Sequence, residues 1–271
     1  MKADLSQIFK PFLTPALSRI CKFKDVHAGE SCYLFGDGVS IKWFELGAFA
    51  DKPSIPCGFL PLHKDFSKLE VSYLILMEPW WFYPYQKTTS PPVKYIKNVI
   101  QKMYRNQVLR EYPEKTLFTN ITNYPVLNRK NAVYTYKSIE DGRLPENYIS
   151  YRVNCFAGSL RASILIAIYL GFDHCYLAGF DYTHMPSLSR HWYEKGQGIE
   201  NGLIEHESGF LEQAKEYIDI TTITVDAGSN TLDSLTYKKI TGLEPRYHEN
   251  TELVSAENLK RFSHWPGYTI Y

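Results

Sequence analysis

A mostly parallel sheet flanked by helices, Rossmann-like within the α/β class, is the fold this sequence predicts, and three observations predict it. Strand-like runs at 32–35, 55–60, 71–77, 116–119, 175–178 and 221–225 alternate with helical patterns at 41–49, 93–110, 160–170 and 209–218, the order that builds βαβ units. Two of the strand-like runs end in short glycine turns, Gly36-Asp37-Gly38-Val39-Ser40 and Gly179-Phe180-Asp181-Tyr182. Such a turn at the carboxyl end of a parallel strand leaves backbone N–H groups able to hold a phosphate or nucleotide against a helix N-terminus. Finally, the run from Leu160 to Leu170 is apolar nearly all round and stops at Gly171, the pattern of a buried helix that ends on a glycine and feeds the next strand.

Along the chain, residues 1–24 read as a lead whose Phe9, Phe12 and Leu13 contact the main body. Residues 25–241 form the nucleotide-binding α/β body, and 242–271 an extension that mixes charge and aromatics, packing irregularly or serving an oligomer contact. Two stretches break the alternation. The stretch 78–92 is an aromatic loop, with Trp80-Trp81-Phe82-Tyr83 between prolines, placed after the third strand. The stretch 183–208 is rich in Gly and His without periodicity, and long loops of this kind act as lids or binding loops. The small residues of Phe156-Ala157-Gly158-Ser159 let a ligand approach the start of the buried helix.

Composition excludes several classes. With 30 basic and 29 acidic residues the formal charge is +1, so no basic excess marks a nucleic-acid binder. The five cysteines, Cys21, Cys32, Cys57, Cys155 and Cys175, are odd in number and form no CxxC pair, which argues against a disulfide framework or zinc site and for a reducing compartment. Cys32, Cys57 and Cys175 read as small buried hydrophobes. The N-terminus has no apolar leader and the longest apolar stretch, 164–170, is too short to cross a bilayer. A cytoplasmic protein is expected, with peripheral attachment to the inner face of a membrane and homo-oligomerisation left open.

The first glycine turn is the wrong length for a Walker loop and lacks the third glycine of a dinucleotide fingerprint. The stretch Cys32-Tyr33-Leu34-Phe35-Gly36-Asp37-Gly38-Val39-Ser40 instead resembles the Gly-Asn-Gly-Pro-Ser-Leu opening of the bacterial sialyltransferases of glycosyltransferase family 42, and of the related motility-associated factors. Ser159, the apolar helix, Leu170-Gly171-Phe172 and Tyr176-Leu177-Ala178-Gly179-Phe180-Asp181-Tyr182 are similar to a second block of that family. A looser likeness follows from Phe210 to Tyr217 and through Ile223-Thr224-Val225 to Ser229-Asn230-Thr231-Leu232.

The resemblance implies a GT-A-like variant of the fold with a lid. It implies transfer of an acidic nonulosonic sugar, sialic-acid-like, from a CMP-activated co-substrate to a glycan or glycolipid acceptor, without metal or other cofactor. No Asp-x-Asp motif follows a strand, as metal-dependent sugar transferases require. Carried over by position, Gly36, Asp37, Gly38, Ser40, Glu78, Ser159, Gly179 and Asp181 fall on donor-binding positions. Asp37 and Glu78 stand where the family has asparagines; a carboxylate there repels the donor phosphate unless it faces the ribose or the cytosine amino group.

Inverting transfer needs a base for the acceptor hydroxyl and support for the departing phosphate, and the family uses a lid histidine. The lid offers His184, His191 and His206. His191 is the first candidate because of its aromatic and cationic neighbours, and His206, closer to the 209–218 helix, is the second. Tyr182 and Tyr193 are candidates to donate to the leaving phosphate; Arg190 and Lys195 match its charge or a sugar carboxylate. Two rival readings are a pterin pyrophosphokinase-like phosphotransferase on a related scaffold and an inert sugar-binding module.

Overall fold

The computed structural model describes residues 14–79, 81–82, 99–135, 158–202, 208–226, 228–229 and 232–271. Five strands form one parallel sheet: β1 (Ser31–Phe35), β2 (Ser54–Pro56), β6 (His174–Ala178), β10 (Asp219–Thr224) and β12 (Asp233–Thr236), in the order β12-β10-β6-β1-β2. A parallel three-stranded sheet of β3 (Tyr73–Leu76), β4 (Thr116–Asn120) and β5 (Ala132–Thr135) continues it. The parallel bridges Ser54↔Val71 and Cys57↔Ile75 join the two. The expected α/β class with a parallel sheet is therefore what the chain adopts.

The chain starts at β1, winds outward through β2 to β5, then returns to lay β6 on the other side of β1 and winds outward again through β10 and β12. The direction of winding reverses between β1 and β6. In open parallel sheets the carboxyl ends of the strands splay apart at this point and leave a crevice.

Both central strands are buried on both faces, as a covered parallel sheet requires. Cys32 and Leu34 of β1, with Cys175 and Leu177 of β6, point into one core with the helix α1 (Ser159–Leu170). Tyr33 and Phe35 alternate to the opposite core with Phe44, Phe49, Ile223 and Phe262. Gly171 closes α1 in the left-handed conformation at φ 91°, its N–H and that of Phe172 capping the last turn. Cys32, Cys57 and Cys175 are buried free thiols and Cys21 an exposed one, whereas Cys155 lies outside the described residues.

Several expectations are corrected. Residues 41–49 do not form an α-helix but two 3-10 turns, Val39–Trp43 and Leu46–Phe49, separated by extended Phe44 and Glu45. The carbonyls of Lys42 and Trp43 accept from His248 N and Arg246 N of the distant tail, so they are lost to an α-helical ladder. The strand expected over 55–60 stops at Pro56, because Gly58 turns the chain at φ 64°. The described part of the expected lid loop, 183–202, is built around an antiparallel pair, β8 (Ser187–Ser189) with β9 (Ile199–Asn201), while β7 (His184–Met185) pairs with β11 (Gly228–Ser229). Of the helix expected over 93–110, only residues from 99 onward fall in the described set; they are helical to 111, with a π-helical segment Tyr104–Val108. Most of the aromatic loop 78–92 lies outside the described residues.

The tail differs most from expectation. After α2 (Ser208–Ala214) and α3 (Tyr237–Thr241) it forms α4 (Asn250–Leu253) and α5 (Ala256–Phe262), whose Leu253, Leu259 and Phe262 enter the second core. A partly buried ion pair fixes it: Lys42 Nζ, 0% exposed at the side chain, lies 2.7 Å from Glu249 Oε1 and donates to Gly196 O at 2.7 Å. Burial alone would raise the Glu249 carboxyl, but hydrogen bonds from Lys42, Asn250 N, Tyr247 and Gly196 N hold it down at about 2. A folded-state value below the ordinary 4.5 stabilises the fold above about 4.5, and that stability is lost as pH falls toward 2. Glu249→Gln should therefore flatten the fall of Tm between pH 4.5 and 2; a slope equal to wild type would show that Glu249 is not the titrating group.

Candidate active site at the sheet switch point

Where β1 and β6 end, their two glycine turns interlock. Gly36 N donates to Ala178 O (2.8 Å) and Gly38 N to Gly179 O (2.7 Å). A Cβ on Gly36 would stand 2.3 Å from Gly179 O, and one on Gly38 2.5 Å from the same oxygen and 2.6 Å from the Asp181 carboxyl. Only glycine permits this approach. Asp181, 2% exposed, ties the turns together by accepting from Ser40 N (2.7 Å) and Ser40 Oγ (2.5 Å).

Above the turns lies a cavity of about 600 Å³. Its wall brings together Asp37, Gly38, Glu78, Ser159, Gly179, Asp181, Tyr182, Arg190, His191 and Tyr193. These are ten of the residues singled out in the sequence, drawn from positions 37 to 193. Gly158 and Ser159 place the N-terminus of α1 at the same cavity, which supplies N–H groups and the positive end of the helix dipole to an anion. Gly36 and Ser40 are buried behind the wall as supports, and Lys195 is exposed away from it. His206 lies outside the described residues. His184 is buried, with Nδ1 3.9 Å from Asp181 Oδ1, and does not line the cavity.

The Asp37 carboxylate on the first turn is held by groups of the protein itself. Phe59 N donates to both its oxygens (3.1 and 3.0 Å), Leu60 N adds a further bond, and Trp192 Nε1 donates to Oδ1 at 3.1 Å. Both of its oxygens are thus hydrogen-bonded by the protein. Burial pushes the carboxyl above its usual range, and the nearby His191 together with these donors pulls it back part of the way. Gly58 makes room for it, since a Cβ there would fall 1.8 Å from Asp37 Oδ2.

The lid is pinned to this first turn. Trp192 N donates to Asp37 O (3.1 Å), Gly38 and His191 form an antiparallel bridge, and Trp192 is fully buried. His191 stacks on Tyr193 at 5.0 Å and 8°. Its Nδ1 lies 2.8 Å from Glu194 Oε1, and its backbone N donates to the same oxygen at 2.9 Å. Burial would raise the Glu194 carboxyl, but the bonds from His191 and from Thr269 N hold it below the usual carboxylate range. With Nδ1–H given to a carboxylate, Nε2 is the basic nitrogen. The His191 side chain is 41% exposed, so that nitrogen can be reached. Arg190, beside it, is held at φ 86°, a left-handed conformation costly for a side-chain-bearing residue; its guanidinium donates to Lys195 O.

In three dimensions the chain is similar to sialyltransferases. One is CstII from Campylobacter jejuni in complex with the substrate analogue cytidine-5'-monophosphate, at 13% identity over 88% of this chain and 98% of that one, with a TM-score of 0.47. Another is the monofunctional α-2,3-sialyltransferase Cst-I of the same organism, at 15% identity over 86% of this chain and 92% of that one, with a TM-score of 0.45. No protein-family model and no curated protein matches the chain.

The sequence reading missed part of the wall. Cys57, Gly58 and Phe59 follow β2, and Trp265 and Tyr268 come from the tail. Cys57 hydrogen-bonds with the hydroxyls of Ser159 and Ser163, and burial lifts its thiol well above the ordinary value. The hydroxyls of Tyr193 and Tyr268 are bonded to each other, and burial raises both, Tyr268 to about 12. The only signal in the sequence for the tail residues was their aromatic content. No helix is long and apolar enough to cross a membrane among the described residues.

Proposed function

We propose that this protein transfers an acidic, sialic-acid-like sugar from a CMP-activated donor to a hydroxyl of a glycan acceptor, with His191 as the base. The observation that carries this reading is the His191–Glu194 pair, pinned beside the glycine turns of the switch point and facing a cavity that also receives a helix N-terminus. His191 Nε2 takes the acceptor hydroxyl proton as the oxygen bonds to the anomeric carbon from the face opposite the nucleotide. The bond from that carbon to the phosphate oxygen breaks, and its electron pair leaves with CMP. Glu194 stabilises the imidazolium, and the N–H groups at the start of α1 with the Tyr182 hydroxyl stabilise the departing phosphate. Arg190 suits the sugar carboxylate.

Two measurements test the donor. CMP should raise Tm more than UDP, GDP or ATP, since a ligand at a hundred times its dissociation constant stabilises the fold by about 2.7 kcal/mol. Equal shifts, or none, would remove the CMP assignment, and AMP formed from ATP with a pterin would replace it by phosphotransfer. Among the described residues no group of three His, Cys, Asp or Glu is placed to hold a metal ion. Transfer should accordingly persist in EDTA; complete loss restored by Mg²⁺ or Mn²⁺ would make a carboxylate such as Asp181 a ligand.

A further inference from the structure

The tail contributes two half-buried rings to the cavity, Trp265 and Tyr268. Tyr268 N donates to Trp265 O at 3.0 Å, and this turn sets the rings 6.0 Å apart and 32° from parallel, side by side. Gly267 keeps the turn tight, since a Cβ there would stand 3.3 Å from Trp265 Nε1. Tyr268 meets His191 nearly edge-on at 5.3 Å, and His191 is bridged in turn to Gly38. His191 thus touches both Tyr268 and the first glycine turn. Residues 263–271 carry no Asp, Glu, Lys or Arg, so this wall offers ring faces and no formal charge.

We propose that Trp265 and Tyr268 form the acceptor subsite, a platform on which the apolar C–H face of a pyranose ring stacks so that one of its hydroxyls reaches His191. The proposal rests on the sugar-transfer reading above and adds where the acceptor lies. An aromatic wall with a few polar groups is the usual composition of a small-molecule site. Partly exposed rings suit a ligand whose remaining residues run out into solvent, as a glycan does, whereas a nucleotide has the turns and the α1 N-terminus to hold its phosphate. Tyr268 is fixed through its hydroxyl to Tyr193, which leaves the indole of Trp265 as the adjustable half of the platform.

The test uses the full chain saturated with CMP and a fixed panel of lactose, N-acetyllactosamine, cellobiose and chitobiose, with binding read by ligand-observed NMR. At least one sugar should bind the wild type, lose about tenfold or more in affinity with Trp265→Ala, and recover most of it with Trp265→Phe. In transfer assays the acceptor KM should rise by a similar factor with kcat changed less than threefold. No binding to the wild type, or binding unaffected by Trp265→Ala, would overturn the proposal. A Trp265→Ala chain that loses its CMP-induced rise in Tm would overturn it too, giving the ring to the nucleobase. Sugar binding that depends on Trp265 in a chain that never releases CMP from CMP-sialic acid would uphold the subsite and defeat the transfer reading, so the two fail separately.

Discussion

His191→Ala should lower kcat by at least about a hundredfold while leaving the donor KM nearly unchanged, because a positioned base contributes about 10²–10⁴-fold to the proton-transfer step and little to nucleotide binding. The acidic limb of the pH–rate profile should vanish with the imidazole. A general base must be unprotonated to accept the acceptor proton, so loss of such a limb is the signature of its removal. The geometry makes the expectation specific: Glu194 Oε1 accepts from the ring nitrogen and the backbone N of the same residue, so orientation and charge both come from one carboxylate. Glu194→Gln keeps an acceptor oxygen but loses the charge that steadies the imidazolium, and should give a smaller loss than His191→Ala. If His191→Ala keeps most activity and His206→Ala loses it, the role belongs to His206. If both retain activity, no lid histidine is the base.

Gly36→Ala should cost about 3 kcal/mol and lower Tm by roughly 6–10 °C. The added methyl group would meet Gly179 O at 2.3 Å and the Phe180 ring at 2.9 Å. The first is backbone in the opposing turn, itself held by the Gly38 N–H, so it cannot give way without drawing the two turns apart. Gly202→Ala is the control. Nothing lies within 4 Å of a Cβ there, and the change should stay within about 0.5 kcal/mol. Equal Tm values for the two variants would mean that the turns do not interlock as described.

The parts of the fold that were legible in the sequence are those where one chemical requirement dominates. The buried strands β1 and β6 and the helix α1 are apolar on every side, and Gly171 marks the end of α1. The turns could be read because glycine is needed there for contact between two backbones. Elements whose stability comes from distant partners could not. The segment 41–49 has a helical pattern, yet its carbonyls are claimed by Arg246 and His248. The strand β12 is a polar edge strand, Asp233-Ser234-Leu235-Thr236, without the apolar alternation that marks a buried one. The same holds at the site: Asp37 looks like a group aimed at a ligand, and only its bonds to Phe59, Leu60 and Trp192 show that its oxygens are already hydrogen-bonded within the protein.

Glu194 is oriented from far along the chain. Its second oxygen accepts from Thr269 N at 2.9 Å, 75 residues onward, while Lys195 N donates to Thr269 O and Asn250 Nδ2 to Tyr193 O. All the strands of the described residues are complete by Thr236. During synthesis the sheet and both glycine turns are therefore encoded before Thr269, which orients Glu194, and before the two tail rings of the cavity wall. The His191–Glu194 arrangement is complete only when the tail has folded back across the lid.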